Sequence, residues 1–160
     1  MSNPNEYGSI EQSIFIAASP EVVYDVVSRP EHLNRWWTDE AVYQPVPGGS
    51  GYLAWGDRAT TRPTEVTLTV VEAVPGERFS FRWIYPRGET PTPENSMLVT
   101  FSLVPDSGGT RLTVTEEGMR EQGWEAAKLE AYYLEHVDGW MRHLADLARY
   151  APAVVERVDG

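Results

Sequence analysis

The stretch EAAKLEAYYLEHVDGWMRHLADLARY, residues 125–150, lies within the longest proline-free run of the chain and carries one uninterrupted helical period. Leu129, Tyr133, Val137, Trp140, Leu144 and Leu147 recur at spacings of four, four, three, four and three. At about 100° per residue these positions form one stripe. Glu135, Asp138, Arg142, Asp146 and Arg149 fall on the opposite side. The reading is a terminal amphipathic helix whose bulky apolar face needs a surface to cover, with the residues from Pro152 onward as a frayed tail. Gly139 interrupts the helix. Glycine in a helix interior costs about 1 kcal/mol relative to alanine, so close approach of another backbone is the expected compensation, and a tolerated defect is the alternative.

Upstream of that helix the period changes. Residues 9–17 alternate, with Ile10, Gln12, Ile14 and Ile16 on one side, and read as a first strand. Ser19-Pro20-Glu21 opens a short helix with Ser19 as N-cap, and Val22, Val23, Val26 and Val27 supply its apolar side. Pro30 stops it and opens a second short helix, whose apolar side is Leu33, Trp36 and Trp37. From Val42 the chain reads as short strands separated by turn chemistry, including Pro47-Gly48-Gly49, Pro75-Gly76-Glu77 and Ser107-Gly108-Gly109. Phe79, Phe81, Trp83 and Tyr85 share one face of one strand; Met97, Val99, Phe101 and Leu103 share a face of the next. Leu112, Val114 and Glu116 share a face of the last. Six or seven antiparallel strands are expected, giving an α+β domain with the long helix against a curved sheet. Residues 1–8 are expected to be disordered, residues 9–151 to form one domain and residues 152–160 a flexible tail. Residues 57–64 and 118–124 carry no clear period.

Composition narrows the function classes. The chain has 160 residues with 41% hydrophobic content, enough for one domain with a real core. Thirteen Lys and Arg stand against 24 Asp and Glu, a formal charge of −11, so a phosphate backbone would be repelled and no nucleic acid partner is expected. No apolar run is long enough for a membrane span, and residues 1–8 lack the pattern of a signal peptide, so no membrane association and a cytoplasmic location are expected. The absence of cysteine excludes disulfides, thiolate nucleophiles and sulfur-rich metal sites.

The order of motifs resembles the START/Bet v 1-like (SRPBCC) superfamily, and within it the family like the C-terminal domain of the Hsp90 ATPase activator Aha1. The resemblance spans almost the whole chain. It rests on Ala18-Ser19-Pro20-Glu21-Val22-Val23-Tyr24, Leu33-Asn34-Arg35-Trp36-Trp37, Pro47-Gly48-Gly49, Val71-Glu72-Ala73-Val74-Pro75-Gly76-Glu77-Arg78-Phe79, Gly109-Thr110-Arg111-Leu112-Thr113-Val114 and Gly139-Trp140. It implies a helix-grip architecture, commonly with a cavity between sheet and helix. Its members include hydrophobic-ligand carriers, polyketide cyclases and aromatases, and chaperone activators linked to stress response.

Trp37, Leu53, Trp55, Phe81, Trp83, Tyr85, Met97, Val99, Tyr133, Val137 and Trp140 are the positions expected to wall such a cavity. A concave, mostly apolar surface with a few polar tips is what small-molecule binding requires; a well-filled core is the alternative. Phe101, Leu103, Leu112 and Val114 read as core. Of the three histidines, His32, His136 and His143, the last two flank the apolar stripe. No partner spacing marks a catalytic pair and no helical zinc spacing exists, so satisfied or partly exposed histidines, no metal and no cofactor are expected. Glu116 points inward by parity. A lone inward carboxylate must be solvated, paired or protonated; a rim position reaching water is expected, with polar ligand recognition or proton transfer as the alternative. Arg82 has the opposite parity and is not its partner.

The expected activity is binding of a hydrophobic or aromatic small molecule, such as a lipid, sterol, flavonoid or polyketide-like compound. The alternatives are a cyclase or aromatase on the same scaffold, with Glu116, Tyr85 and His136 as first candidates, and a protein-interaction module of chaperone-activator type. The chain is expected to act as a monomer or weak homodimer.

Overall fold

The computed structural model describes residues 8–55, 64–84, 91–92, 95–119 and 122–159. The chain runs β1 (Ser9–Ile16), α1 (Pro20–Ser28), α2 (Pro30–Trp36), β2 (Glu40–Val42), β3 (Ser50–Trp55), β4 (Thr64–Val74), β5 (Arg78–Ile84), β6 (Met97–Asp106), β7 (Gly109–Glu117) and α3 (Ala126–Asp159). The seven strands form one antiparallel sheet in the order β1-β7-β6-β5-β4-β3-β2, so the first strand closes against the last. This is the α+β helix-grip arrangement that the alternation of periods implies.

Local chemistry accounts for the elements. Ser19 caps α1 by accepting from Val22 N at 3.3 Å, and Pro20 takes the first helical position. Ser107 and Gly108, at φ 50° and 83°, make the two-residue turn between β6 and β7, a conformation open to glycine and costly for most other residues. Beyond Val70 the β4 register shifts by one residue against β5, a bulge that bends the strand.

One face of the sheet buries Leu53, Val66, Leu68, Phe79, Phe81, Val99, Phe101, Leu112 and Val114 against the helices. From α3, Trp140, Leu144, Leu147 and Ala151 are buried, whereas Leu129, Tyr133 and Val137 are half-buried. The helix is thus seated firmly in its C-terminal half. Its bonds to distant elements include Gln12 Nε2 donating to Val137 O at 2.9 Å and His32 Nδ1, which lies 2.8 Å from Tyr150 Oη.

Two expectations about this helix are corrected. It does not end at Tyr150: it continues through Pro152 to Asp159. A proline in a helix interior costs about 3 kcal/mol, but Ala151 is fully buried and Val154 packs on the core, so tertiary contact holds the helix across it. And no backbone approaches Gly139: a Cβ placed there would meet nothing within 4 Å. The missing side chain leaves open space instead.

Candidate functional site

The open space lies where the strand ends meet the N-terminal half of α3. A cleft of about 180 Å³ is lined by Trp37, which follows α2, by Trp55 and Trp83, at or near the ends of β3 and β5, and by Glu135, His136, Gly139, Trp140, Arg142 and His143 of α3. A second, larger cleft of about 420 Å³ lies on the other side of His136. Its walls include Trp83, Ile84, Asn95, Ser96, Met97, Gln122, Trp124, Lys128 and Tyr132. Trp83, Glu135 and His136 border both.

Trp37 is the hub of the first cleft. Its ring centroid lies 5.2 Å from Trp140, 5.5 Å from Trp55 and 5.6 Å from Trp83, in the range where aromatic pairs attract. The Trp55 indole Nε1 is buried and has no hydrogen-bond partner among the described residues. Such a donor costs about 1–3 kcal/mol while unsatisfied.

Behind the wall between the clefts sits Glu116, fully buried. β-Sheet register places it opposite Ile10 on β1 and Val99 on β6, both buried, so its side chain has no route to water along the sheet. It does not reach the rim. Four polar side chains hold it instead: Trp83 Nε1 at 3.2 Å and Tyr132 Oη at 2.5 Å donate to Oε2, Trp140 Nε1 at 2.9 Å donates to Oε1, and His136 Nδ1 lies 2.9 Å from Oε1. Tyr132, His136 and Trp140 are spaced by four on α3, so three successive turns present their polar tips to one carboxylate. The His136 ring also stacks on Tyr132, with centroids 3.8 Å apart and planes 18° from parallel.

His143 has a different setting. Burial holds its imidazole below the usual histidine range, the Arg142 cation adds to this, and Asp146 opposes it. The folded protein therefore takes up the His143 proton less readily than the unfolded chain, so this residue's contribution to stability is present above about pH 6.5 and is lost as pH falls below that value. Thermal melts between about pH 7 and pH 5 are expected to show a falling melting temperature, with a smaller fall in His143→Gln. Equal slopes for the two proteins would contradict this assignment.

The residues singled out from sequence divide into groups. Trp37, Trp55, Trp83, His136 and Trp140 line the first cleft, and Met97 lines the second with Trp83 and His136. Leu53, Phe81 and Val99 are packed in the core and line neither cleft, while Tyr133 and Val137 lie half-buried against it. Tyr85 lies outside the described residues. Sequence reasoning missed Tyr132, Trp124 and the cleft-lining role of Gly139. The spacing of four from Tyr132 to His136 to Trp140 was the available signal, masked because the adjacent Tyr133 fits the apolar stripe.

Among the described residues no three His, Asp or Glu side chains converge as a metal site requires, and no helix is long and apolar enough to cross a membrane. Among curated proteins no match was found. Solved structures share the fold. Protein CV1439 from Chromobacterium violaceum is 24% identical with a TM-score of 0.69, the match covering 90% of this chain and 96% of that one. The Aha1 dimer from Colwellia psychrerythraea, a solution structure, is 20% identical with a TM-score of 0.64, covering 88% and 92%. DynU16, a protein of the dynemicin biosynthetic locus, is 21% identical with a TM-score of 0.68, covering 89% of this chain and 46% of that one. The family described as Activator of Hsp90 ATPase homolog 1-like protein matches residues 17–151. A match over that length, on a chain with this sheet order and this terminal helix, makes the protein a member of the Activator of Hsp90 ATPase homolog 1-like family.

Proposed function

We propose that the protein binds a compact aromatic molecule carrying a hydrogen-bond acceptor, with its ring in the tryptophan-lined cleft beside α3. The observation that carries this reading is the Trp55 indole N–H, buried without a partner among the described residues, in a wall it shares with Trp37, Trp83 and Trp140. The N–H is buried, so a ligand acceptor meets it when the indole turns toward the cleft, and the bond then removes the cost of leaving it unsatisfied. Size favours a small ring system over a sterol or an acyl chain. An apolar cavity of about 150 Å³ takes up benzene, and the cleft of about 180 Å³ is of that order. Substituents extend toward the larger cleft past His136. All of these walls come from one chain, so the site works in a monomer or in a weak homodimer.

Gly139→Ala tests the reading, because its two effects have opposite signs. Helix propensity favours alanine by about 1 kcal/mol and the new methyl meets no atom within 4 Å, so the variant is expected to be the more stable protein. The same methyl projects into the cleft that Gly139 lines, so binding of a compact aromatic such as indole-3-carboxylate is expected to weaken about tenfold. Calorimetry on both proteins measures both quantities. A variant that is stabilised and binds as well as the parent would remove the cleft from the account.

A further inference from the structure

We propose that the larger cleft is a second binding site, for a monocarboxylate with an extended apolar body, and that Lys128 holds its carboxylate. Lys128 is the only lysine among the 13 Lys and Arg of the chain. It is the third residue of α3, where the positive end of the helix dipole makes a cation unfavourable. No ion pair offsets this among the described residues. Its ammonium lies over the Trp124 ring instead, 4.8 Å from the centroid, and a ring face attracts a cation without neutralising it. Helix stability therefore gives no reason for a lysine at this position, and the cleft it lines supplies one.

Lys128, Tyr132 and His136 are spaced by four and all line this cleft, so one face of α3 forms its wall over about 12 Å. Trp83, Ile84, Met97 and Trp124 add apolar surface. At about 420 Å³ the space falls in the range of small-molecule sites, and it takes a longer body than the tryptophan-lined cleft does. Its neutral polar side chains are bonded within the protein: Gln122 Nε2 donates to Gly118 O at 2.9 Å, Asn95 Oδ1 accepts from Thr92 N at 2.6 Å, and Ser96 Oγ donates to Thr92 O. Lys128 is left to meet a ligand. Glu135 lines the cleft seven residues further along α3, about 10 Å from Lys128 on the helix axis, so an anion is drawn to the Lys128 end and turned away from the other. One cation beside an apolar wall fits a single negative charge on an apolar chain.

Octanoate is the probe, with octanamide as its neutral counterpart of the same length. Calorimetry on the whole chain is expected to show octanoate bound about fivefold tighter than octanamide, the size of an exposed ion pair. Lys128→Met, which keeps the apolar stem, is expected to bind the two equally, and Lys128→Arg to keep the preference. Reductive methylation with isotope-labelled formaldehyde retains the lysine charge and marks Lys128 as the only side-chain amine. Octanoate is expected to shift those methyl signals and the Trp124 indole signal together and saturably. No saturable binding of octanoate, equal affinity for acid and amide in the parent protein, a preference that survives Lys128→Met, or binding that leaves Trp124 and the Lys128 methyl groups unmoved would each overturn the proposal. None of these outcomes bears on the tryptophan-lined cleft, which is read at Trp55.

Discussion

Glu116→Ala is expected to lower the melting temperature by about 10 °C, a loss of about 3–5 kcal/mol at about 2–4 °C per kcal/mol for a chain of this size. The side chain is fully buried, accepts from Trp83, Tyr132 and Trp140, and is hydrogen-bonded to His136 Nδ1. Each buried donor left without an acceptor costs about 1–3 kcal/mol, and the removed atoms add a cavity term. Relaxation recovers part of this, so the sum stays below four full penalties. Glu116→Gln keeps the volume but turns an amide NH2 toward an indole N–H, Trp83 on one side or Trp140 on the other, which can only donate, and it is not expected to rescue stability fully. Denaturant melts of both variants check the claim. A loss under about 1 kcal/mol for alanine would mean that water replaces the carboxylate and that the cage is not a unit.

Trp37→Ala is expected to cost a similar amount, about 3–5 kcal/mol, and to abolish ligand binding as well. The ring is 8% exposed and contacts Trp36, Trp55, Phe81, Trp83, Phe101, Trp140 and His143, linking the residue after α2 to three strands and to α3. Removing it leaves the indoles of Trp55, Trp83 and Trp140 without a common neighbour. Trp36→Phe is the control. Trp36 bonds to Val26 O at 2.9 Å and lines neither cleft, so that variant should lose stability modestly and keep binding. Binding that survives Trp37→Ala would place the ligand elsewhere.

The fold was legible because each element carries its own period. The alternation of Ile10, Gln12, Ile14 and Ile16 and of Leu112, Val114 and Glu116 assigned the faces of β1 and β7, and the cap at Ser19 marked α1. The site was legible only in part. Parity turned Glu116 inward, but whether an inward carboxylate meets water or donors depends on what crosses from two other elements, β5 and α3, and a strand's own pattern holds no record of that. Trp83 reaches it over β6, and Trp140 from a helix 24 residues away. Gly139 was misread for a related reason. A glycine in a helix signals that a side chain is missing, and the same letter serves a close backbone contact and an open cleft. The end of α3 was misplaced because the intrinsic cost of Pro152 is local, while the burial of Ala151 that offsets it is tertiary.

The measurement that tests the cleft most directly is a proton–nitrogen NMR titration of the six tryptophan side chains with indole-3-carboxylate and a set of one-ring and two-ring aromatic acids. The account predicts saturable shifts at Trp55, Trp83 and Trp140, the largest at Trp55, where the donor gains its acceptor, with Trp36 unmoved. Shifts absent throughout the set, or equal at Trp36 and Trp55, would contradict a binding site in this cleft.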